Sequence, residues 1–331
     1  MTLTTTTSEP DSSTSGSNCP HAQVGIIGAK ARECLGAPEF AGEVVVATSM
    51  AAYIAVDTGD IVAVCPPSQQ LHPRSLLTDL DLSNVEVGQR IWIEGKKLSF
   101  SNGSRLDLTG SRVWIREPIS AANAATPQQL NARFDDLLRA AKELHQGENL
   151  GLALPFFDSE DQSSERVVMP DNASPLVSAG VQQIRELLPN CRSGNLGEVL
   201  ELARELIGLG HGLTPSGDDF VGGLLFMAHH LSAVYPAQLW WSEADTSPFL
   251  SRSRAMTSQI SHALMADLAN GQSHESLHDL VDDLFSSGPD VDTEKHVRSV
   301  TQIGQSSGWD ILTGMLAGLL PVVYKATESK S

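Results

Sequence analysis

With 331 residues, 41% of them hydrophobic and 19% charged, the chain is long enough to bury a large core and to form two domains. A formal charge of −18 argues against general nucleic-acid binding, which needs a basic surface to neutralise phosphates. Four cysteines (Cys19, Cys34, Cys65, Cys191) follow neither metal-ligand spacing nor a dense disulfide framework, and they read as free thiols of a reducing cytoplasm.

Residues 1–19 are rich in Ser and Thr and contain no Lys or Arg. They lack the basic and apolar regions of a secretory signal and read as a disordered tail. No apolar run approaches the ~20 residues that span a bilayer. Residues 311–324 are apolar but short and glycine-containing, which suits a buried helix and no membrane partner. Residues 20–118 make a β-rich domain. Short β-branched runs at 43–47, 53–56, 61–64, 91–94, 97–100 and 113–116 are separated by turns such as Asp57-Thr58-Gly59-Asp60 and Ser101-Asn102-Gly103. They predict a small barrel or sandwich. Residues 66–84, with His72, Pro73 and Arg74, interrupt the pattern. Gly25-Ile26-Ile27-Gly28-Ala29 lacks the spacing and the βαβ context of a dinucleotide fingerprint.

The character changes after Ile119. Helices are predicted at 126–146, with Pro127 near the start, then at 176–188, 196–207, 216–234, 246–269, 274–285, 293–303 and 307–324. Residues 151–155 are a short strand or loop, 159–164 are exposed, and 326–331 are a tail. The fold class is α+β: a barrel- or sandwich-like β domain (20–118) followed by a mainly α-helical domain (119–325).

The helical domain is organised around Leu209-Gly210-His211-Gly212-Leu213-Thr214-Pro215-Ser216-Gly217-Asp218-Asp219. Gly210 and Gly212 permit backbone angles closed to other residues. Ser216 is placed to cap a helix, with Asp219 completing a capping box. The stretch Ser306-Ser307-Gly308-Trp309-Asp310 repeats this grammar: aligning Ser216 with Ser307 matches Gly217 to Gly308, Asp219 to Asp310 and Gly223 to Gly314. Two similar helix starts predict a pseudo-symmetric pair meeting at one site.

A helix N-terminus offers unpaired N–H groups to an anion, and Thr214 and Ser216 add hydroxyls. The adjacent carboxylates of Asp218 and Asp219 repel phosphate, and three resolutions stay open. Asp219 is consumed by capping while Asp218 points away; a divalent cation such as Mg bridges carboxylate and phosphate; or Asp218 binds an amide of the substrate. The bland reading, two well-capped helix starts, stands beside these. Ser258, Ser261 and His262 share one face if 257–262 is helical, lining a polar pocket or a helix contact. Ser258 is a nucleophile candidate needing a base in reach. His274 and His278 have i, i+4 spacing, but in an acidic, solvated stretch, and no metal site is assigned. His211, inside the glycine loop, is the histidine placed for proton exchange beside a bound anion.

The sequence from Gly210 to Asp219, and Gly304-Gln305-Ser306-Ser307-Gly308-Trp309-Asp310, resemble the two signatures of the AllH-type family, a former domain of unknown function linked to a subunit of oxamate carbamoyltransferase. The resemblance spans roughly residues 37–324 and implies conversion of oxalurate and phosphate to oxamate and carbamoyl phosphate during purine-nitrogen recovery. It implies a small anionic ligand (phosphate, carbamoyl phosphate or oxamate-like) and partner subunits of the AllF and AllG types. Residue chemistry then assigns catalysis to Asp218, Asp219, His211 and Asp310. Ligand binding falls to Gly210, Gly212, Thr214, Ser216, Gly217, Ser258, Ser306, Ser307 and Gly308, with Asp218 and Asp310 orienting a carbamoyl NH₂ or a cation. The family pattern has Pro where His211 stands and His where Gln305 stands, so a proton-transfer role in the second loop is lost here. The rival readings are a non-catalytic binding or scaffold subunit, and a metal-dependent amide or glycosidic hydrolase using Asp218, Asp219 and Asp310.

Overall fold

The computed structural model describes residues 21–37, 40–119, 121, 124–147, 149–158, 173–236, 243–288 and 291–328. The expected tail at 1–19 with its Cys19, and the exposed segment 159–164, lie outside them.

The β domain is a closed barrel. Its strands are β1 (His21–Gly28), β2 (Ala41–Ala47), β3 (Ala52–Val56), β4 (Ile61–Cys65), β5 (Ser75–Thr78), β6 (Arg90–Glu94), β7 (Lys97–Phe100), β8 (Arg105–Asp107) and β9 (Arg112–Trp114). The order β5-β4-β3-β2-β6-β7-β8-β1 closes through an antiparallel β1–β5 pairing, and β9 adds in parallel to the far end of β1. Val24, Ile27, Val44, Ile54, Val64, Leu76, Ile91 and Leu98 fill the interior. The segment 66–84 does not merely interrupt the pattern. Its Ser75–Thr78 strand is buried at every position, so it shows no alternation, and it is the strand that closes the ring. Sequence patterning likewise passed over β1, β8 and the short helix α1 (Ala29–Leu35).

Gly28, at the end of β1, serves packing. A Cβ on Gly28 would lie 2.3 Å from the carbonyl oxygens of both His72 and Pro73. The amide of Ala31 in the first turn of α1 donates to Pro73 O at 2.9 Å, so this helix start is already occupied by the chain itself.

The helical domain comprises α2 (Pro127–Leu144), α3 (Pro175–Ser193), α4 (Leu196–Ala203), α5 (Ser216–Val234), α6 (Glu243–Ser253), α7 (Gln259–Ala269), α8 (Glu275–Phe285), α9 (Thr293–Val300) and α10 (Ser307–Glu328). α2 has the expected Pro127 at its first turn, and the structure adds a Thr126–Gln129 capping box. Residues 151–155 are neither strand nor loop but part of a 3₁₀ helix, Leu150–Phe157, started by the Asn149 side chain. The single helix expected over 246–269 is two, α6 and α7, with a fresh start at Ser258. α10 continues to Glu328, past the expected tail boundary.

α5 and α10 form the buried centre, with α2, α3, α7, α8 and α9 packed against them, while α4 leans on α3 and α6 on α7. The expectation of no membrane-length apolar run needs correction: Ser307–Tyr324 is long and apolar enough by composition, but 83% of it is buried inside the domain. That burial is what a central core helix requires.

The barrel and the helices meet along a polar seam. Asp267 of α7, fully buried, is paired by Lys30 and by Arg74, whose Nη2 donates to Oδ1 at 2.9 Å. The histidines expected in solvent sit in the same seam instead, His278 buried and His274 half-buried. His274 stacks on His72 (centroids 4.6 Å apart), and His278 meets Phe226 and His230. Acidity misleads here because Asp279, on the opposite face of α8, takes the solvent side and pairs with Arg116 at 3.0 Å.

Candidate functional site

The first signature loop closes on itself before α5 begins. Gly210 has φ +124° and approaches so closely that a Cβ would sit 2.7 Å from Ser216 N. Gly212 also has positive φ (+106°). The N-cap is Pro215, not Ser216. With φ −56° and ψ 141°, proline delivers an extended entry, so the helix starts at Ser216 and no side-chain cap forms. The predicted Ser216–Asp219 capping box is therefore absent. Asp219 Oδ2 instead accepts from Thr214 Oγ1 at 2.9 Å.

The first-turn amides are largely occupied by the chain's own carbonyls, in parallel ways. Gly217 N donates to Leu209 O and Gly308 N to Ile303 O, each at 2.9 Å. The amides of Asp218 and Asp219 turn back to Pro215 O, and those of Trp309 and Asp310 to Ser306 O. The open anion cradle expected from these helix starts thus shrinks to the Ser216 and Ser307 amides and the neighbouring hydroxyls.

The two starts do meet, as the internal similarity predicts. A Cβ on Gly223 would lie 2.1 Å from Ile311 O, and one on Gly314 would lie 1.9 Å from Phe220 O. Phe220 and Ile311 are equivalent positions in the two copies, so the crossing has pseudo-two-fold symmetry. Thr214 Oγ1 lies 3.1 Å from Ser307 Oγ. Each signature serine serves the other copy's aspartate: Ser307 favours the Asp219 carboxylate, and Ser216 favours that of Asp310.

The three carboxyls have different fates. Asp218 is fully engaged. Oδ1 accepts from Gly208 N (2.7 Å), and Oδ2 accepts from Ser261 Oγ (2.5 Å) and Thr257 Oγ1. It braces the loop against α7 and does not line the cavity described below. Asp219 is buried, and burial drives its pKa well up, against the lowering effect of the Ser307 and Thr214 hydroxyls. Asp310 is 0% exposed, and burial raises its pKa to about 7, while Leu150 N–H and the Ser216 and Ser306 hydroxyls pull the other way. Its Oδ1 accepts from Leu150 N at 2.8 Å; its Oδ2 has no hydrogen bond of good geometry.

A cavity of about 510 Å³ opens beside this crossing. From the signatures it takes Gly210, His211, Gly212, Ser216, Gln305 and Ser306. Asn149, Ser174 and Trp309 also line it, and sequence reasoning assigned none of these to the site. Trp309 is held edge-on to His145 (4.9 Å between centroids), and His145 is bonded to Asn149 Oδ1 at 2.9 Å. Trp309 sat inside the quoted signature, so its type and place were a usable signal. The two departures from the family pattern, His211 and Gln305, face the same space.

Thr214, Ser307, Gly217 and Gly308 belong to the crossing and its supports, outside the cavity lining. Ser258 is elsewhere: it caps α7, accepting from Ser261 N at 3.1 Å and donating to Leu213 O at 3.3 Å. The face predicted from a continuous helix through 257–262 does not exist, because that helix begins at Gln259. Among the described residues, no three His, Cys, Asp or Glu side chains are arranged to hold a metal ion.

The class defined so far is a β-barrel joined to a helical domain whose two signature-bearing helices, crossing on glycines, flank a polar cavity. A family model described as oxamate carbamoyltransferase subunit AllH matches residues 206–319, the span that contains both signatures and the crossing. This agrees with the family named from the motifs. No solved structure matches the chain.

Proposed function

We propose that this chain is a cytoplasmic subunit of an oxamate carbamoyltransferase-like enzyme and that the cavity beside the α5–α10 crossing holds its small carbamoyl or carboxylate ligand. One observation carries the reading: residues of both signatures, 89 or more positions apart in sequence (Ser216 to Gln305), line one cavity together. Ser216 and Ser306 donate to the ligand's oxygens, Gln305 and Asn149 suit an amide edge, and Trp309 forms an apolar wall. Preorganised donors of this kind stabilise charge that develops on a carbamoyl oxygen during transfer. His211 is the cavity-lining group suited to proton transfer, in place of the histidine absent at Gln305. The reaction is phosphate-dependent breakdown of oxalurate to oxamate and carbamoyl phosphate, with partner subunits of the AllF and AllG types completing the assembly.

The purified chain, alone and with those partners, is assayed for carbamoyl phosphate formed from oxalurate and phosphate. Turnover that Ser306→Ala or His211→Ala lowers by on the order of a hundredfold, with the assembly intact, supports a catalytic cavity here. Unchanged turnover in both variants sinks this placement and favours the scaffold reading.

A further inference from the structure

We propose that Asp310 is a buried proton donor that acts through the cavity-facing hydroxyls of Ser216 and Ser306, so that the cavity selects the acceptor oxygen of a small carboxylate or carbonyl ligand. The proposal rests on reading this cavity as the ligand site, and it inverts the role of Asp310 as an acceptor for a carbamoyl NH₂ or a cation.

One buried atom is poorly satisfied. Asp310 is 0% exposed, its Oδ1 takes the Leu150 amide, and its Oδ2 has no hydrogen bond of good geometry, with the Ser216 and Ser306 hydroxyls as its neighbours of that kind. A buried oxygen of an ionised carboxylate without a donor is costly, whereas a carboxylic acid puts a hydrogen on that oxygen and gives it something to do. The groups beside it are the hydroxyls of Ser216 and Ser306, and both serines line the cavity. A hydroxyl has one hydrogen to give. Once a serine oxygen accepts the Asp310 O–H, its own hydrogen turns to the cavity and can meet only an acceptor. Asp218 and Asp219 offer no such route. Asp218 has partners on both oxygens, and Asp219 is engaged by Thr214.

The charged surroundings of Asp310 are few. α5 brings Asp218 and Asp219, the first signature loop brings His211, and the end of α2 brings His145. The 3₁₀ segment Leu150–Phe157 and the start of α3 bring no titratable group. Arg192 of α3 lies over Tyr324, toward the other end of α10. On α9, Glu294, Lys295 and Arg298 are exposed and His296 is bonded to Asp283. Burial, not a neighbouring charge, therefore holds the proton, and Asp310 is poised near pH 7.

Binding of an acceptor ligand above that pH takes up one proton from solvent, which protonates the Asp310 carboxylate; no other bond changes. Oxamate is the probe, since its carboxylate stays ionised throughout the range. Calorimetric titration in buffers of different ionisation enthalpy should show uptake approaching one proton. Affinity should fall about tenfold per pH unit above neutrality. Asp310→Asn, which fixes an N–H donor in place of the acid, should keep the low-pH affinity within roughly threefold and lose the pH dependence. His211→Gln should retain the dependence, which separates Asp310 from the neighbouring imidazole. Oxamate binding with no pH dependence, or with the same dependence in Asp310→Asn, overturns the proposal and leaves the ligand site standing. No oxamate binding at any pH removes the ligand site and the proposal with it. Should Asp310→Asn fail to fold, carbon NMR of the aspartate carboxyls in an Asp219→Asn background decides. One carboxyl protonated up to near neutrality is expected, and all titrating in the ordinary carboxylate range overturns it.

Discussion

Replacing Gly314 by alanine tests whether the α5–α10 crossing is as close as described. The new methyl would lie 1.9 Å from Phe220 O, 2.8 Å from Phe220 C and 2.9 Å from Leu224 N, where ordinary contact begins at 3.4 Å. The obstacle is helix backbone, so no rotamer change relieves it, and the helices must part by roughly 1.5 Å at the crossing. Overpacking of a tight core costs about 1–3 kcal/mol, and a backbone obstacle belongs at the upper end. Alanine recovers about 1 kcal/mol through its helix propensity, which leaves a net loss of about 2 kcal/mol or more. Gly223→Ala should behave alike, with its methyl 2.1 Å from Ile311 O. Gly197→Ala is the control, because its nearest neighbour is 3.9 Å away on the exposed side of α4. Urea unfolding followed by far-UV circular dichroism gives the midpoints. The double variant should lose less than the two single losses added, since one separation serves both methyls. A Gly314→Ala chain as stable as Gly197→Ala would refute the crossing.

Asp218→Ala strands the Gly208 amide and the hydroxyls of Thr257 and Ser261, and should cost about 2–3 kcal/mol in chemical denaturation; stability equal to the unmodified chain contradicts its bracing role. Arg74→Ala leaves buried Asp267 with Lys30 alone and should cost about 3 kcal/mol, with much of that recovered when Asp267→Ala is added. A double-mutant cycle showing simple additivity would argue against that seam. Acid should destabilise the protein below pH 6.5. Burial depresses His72, and brings His230 to about 3 and His274 and His278 to about 4, so the unfolded chain binds more protons as pH falls from 6.5 toward 4. Their contribution is full above 6.5 and is lost through that window. Asp219 and Asp310 are raised and act oppositely, their contribution fading as pH rises from 3.8. Smaller shifts at His229, Asp135 and Asp282 add to both sides, and the strongly depressed histidines outweigh the raised aspartates, so stability falls as pH drops through the window. Greater stability at pH 5 than at pH 7.5 in equilibrium denaturation contradicts this balance.

What the sequence disclosed depended on whether the information was local. β-branched runs and turn dipeptides marked six strands, and α2 declared itself with Pro127 near its start. The strand Ser75–Thr78 escaped because all its positions are buried, which removes the period-two signal. The break at Ser258 escaped because apolar residues on both sides keep a helical spacing across it. In the site, the pairing of the two signatures was legible as internal repetition. The capping assignment failed because Pro215 and Ser216 both suit a helix start, and spacing does not rank them. Asn149 and Ser174 were not legible: they reach the cavity from segments whose position is set by packing alone.

The pseudo-symmetry also explains why the two copies need not do the same work. Equivalent serines and aspartates cross the pair reciprocally, Ser307 toward Asp219 and Ser216 toward Asp310. Symmetry ends in what lies beyond them. On the Asp219 side, Thr214 fills the partner position, donating to Asp219 while contacting Ser307, and Tyr53 of the barrel lies close enough for its phenol to sense the Asp219 charge. On the Asp310 side, the corresponding space is the cavity between the signature loops, Gln146, Gly147, Asn149, Leu150 and the start of α3. A repeated helix start thus makes one face structural and one face open. The carboxyl with the poorly satisfied oxygen lies behind the open one, where a ligand's oxygen can complete what the fold leaves unfinished.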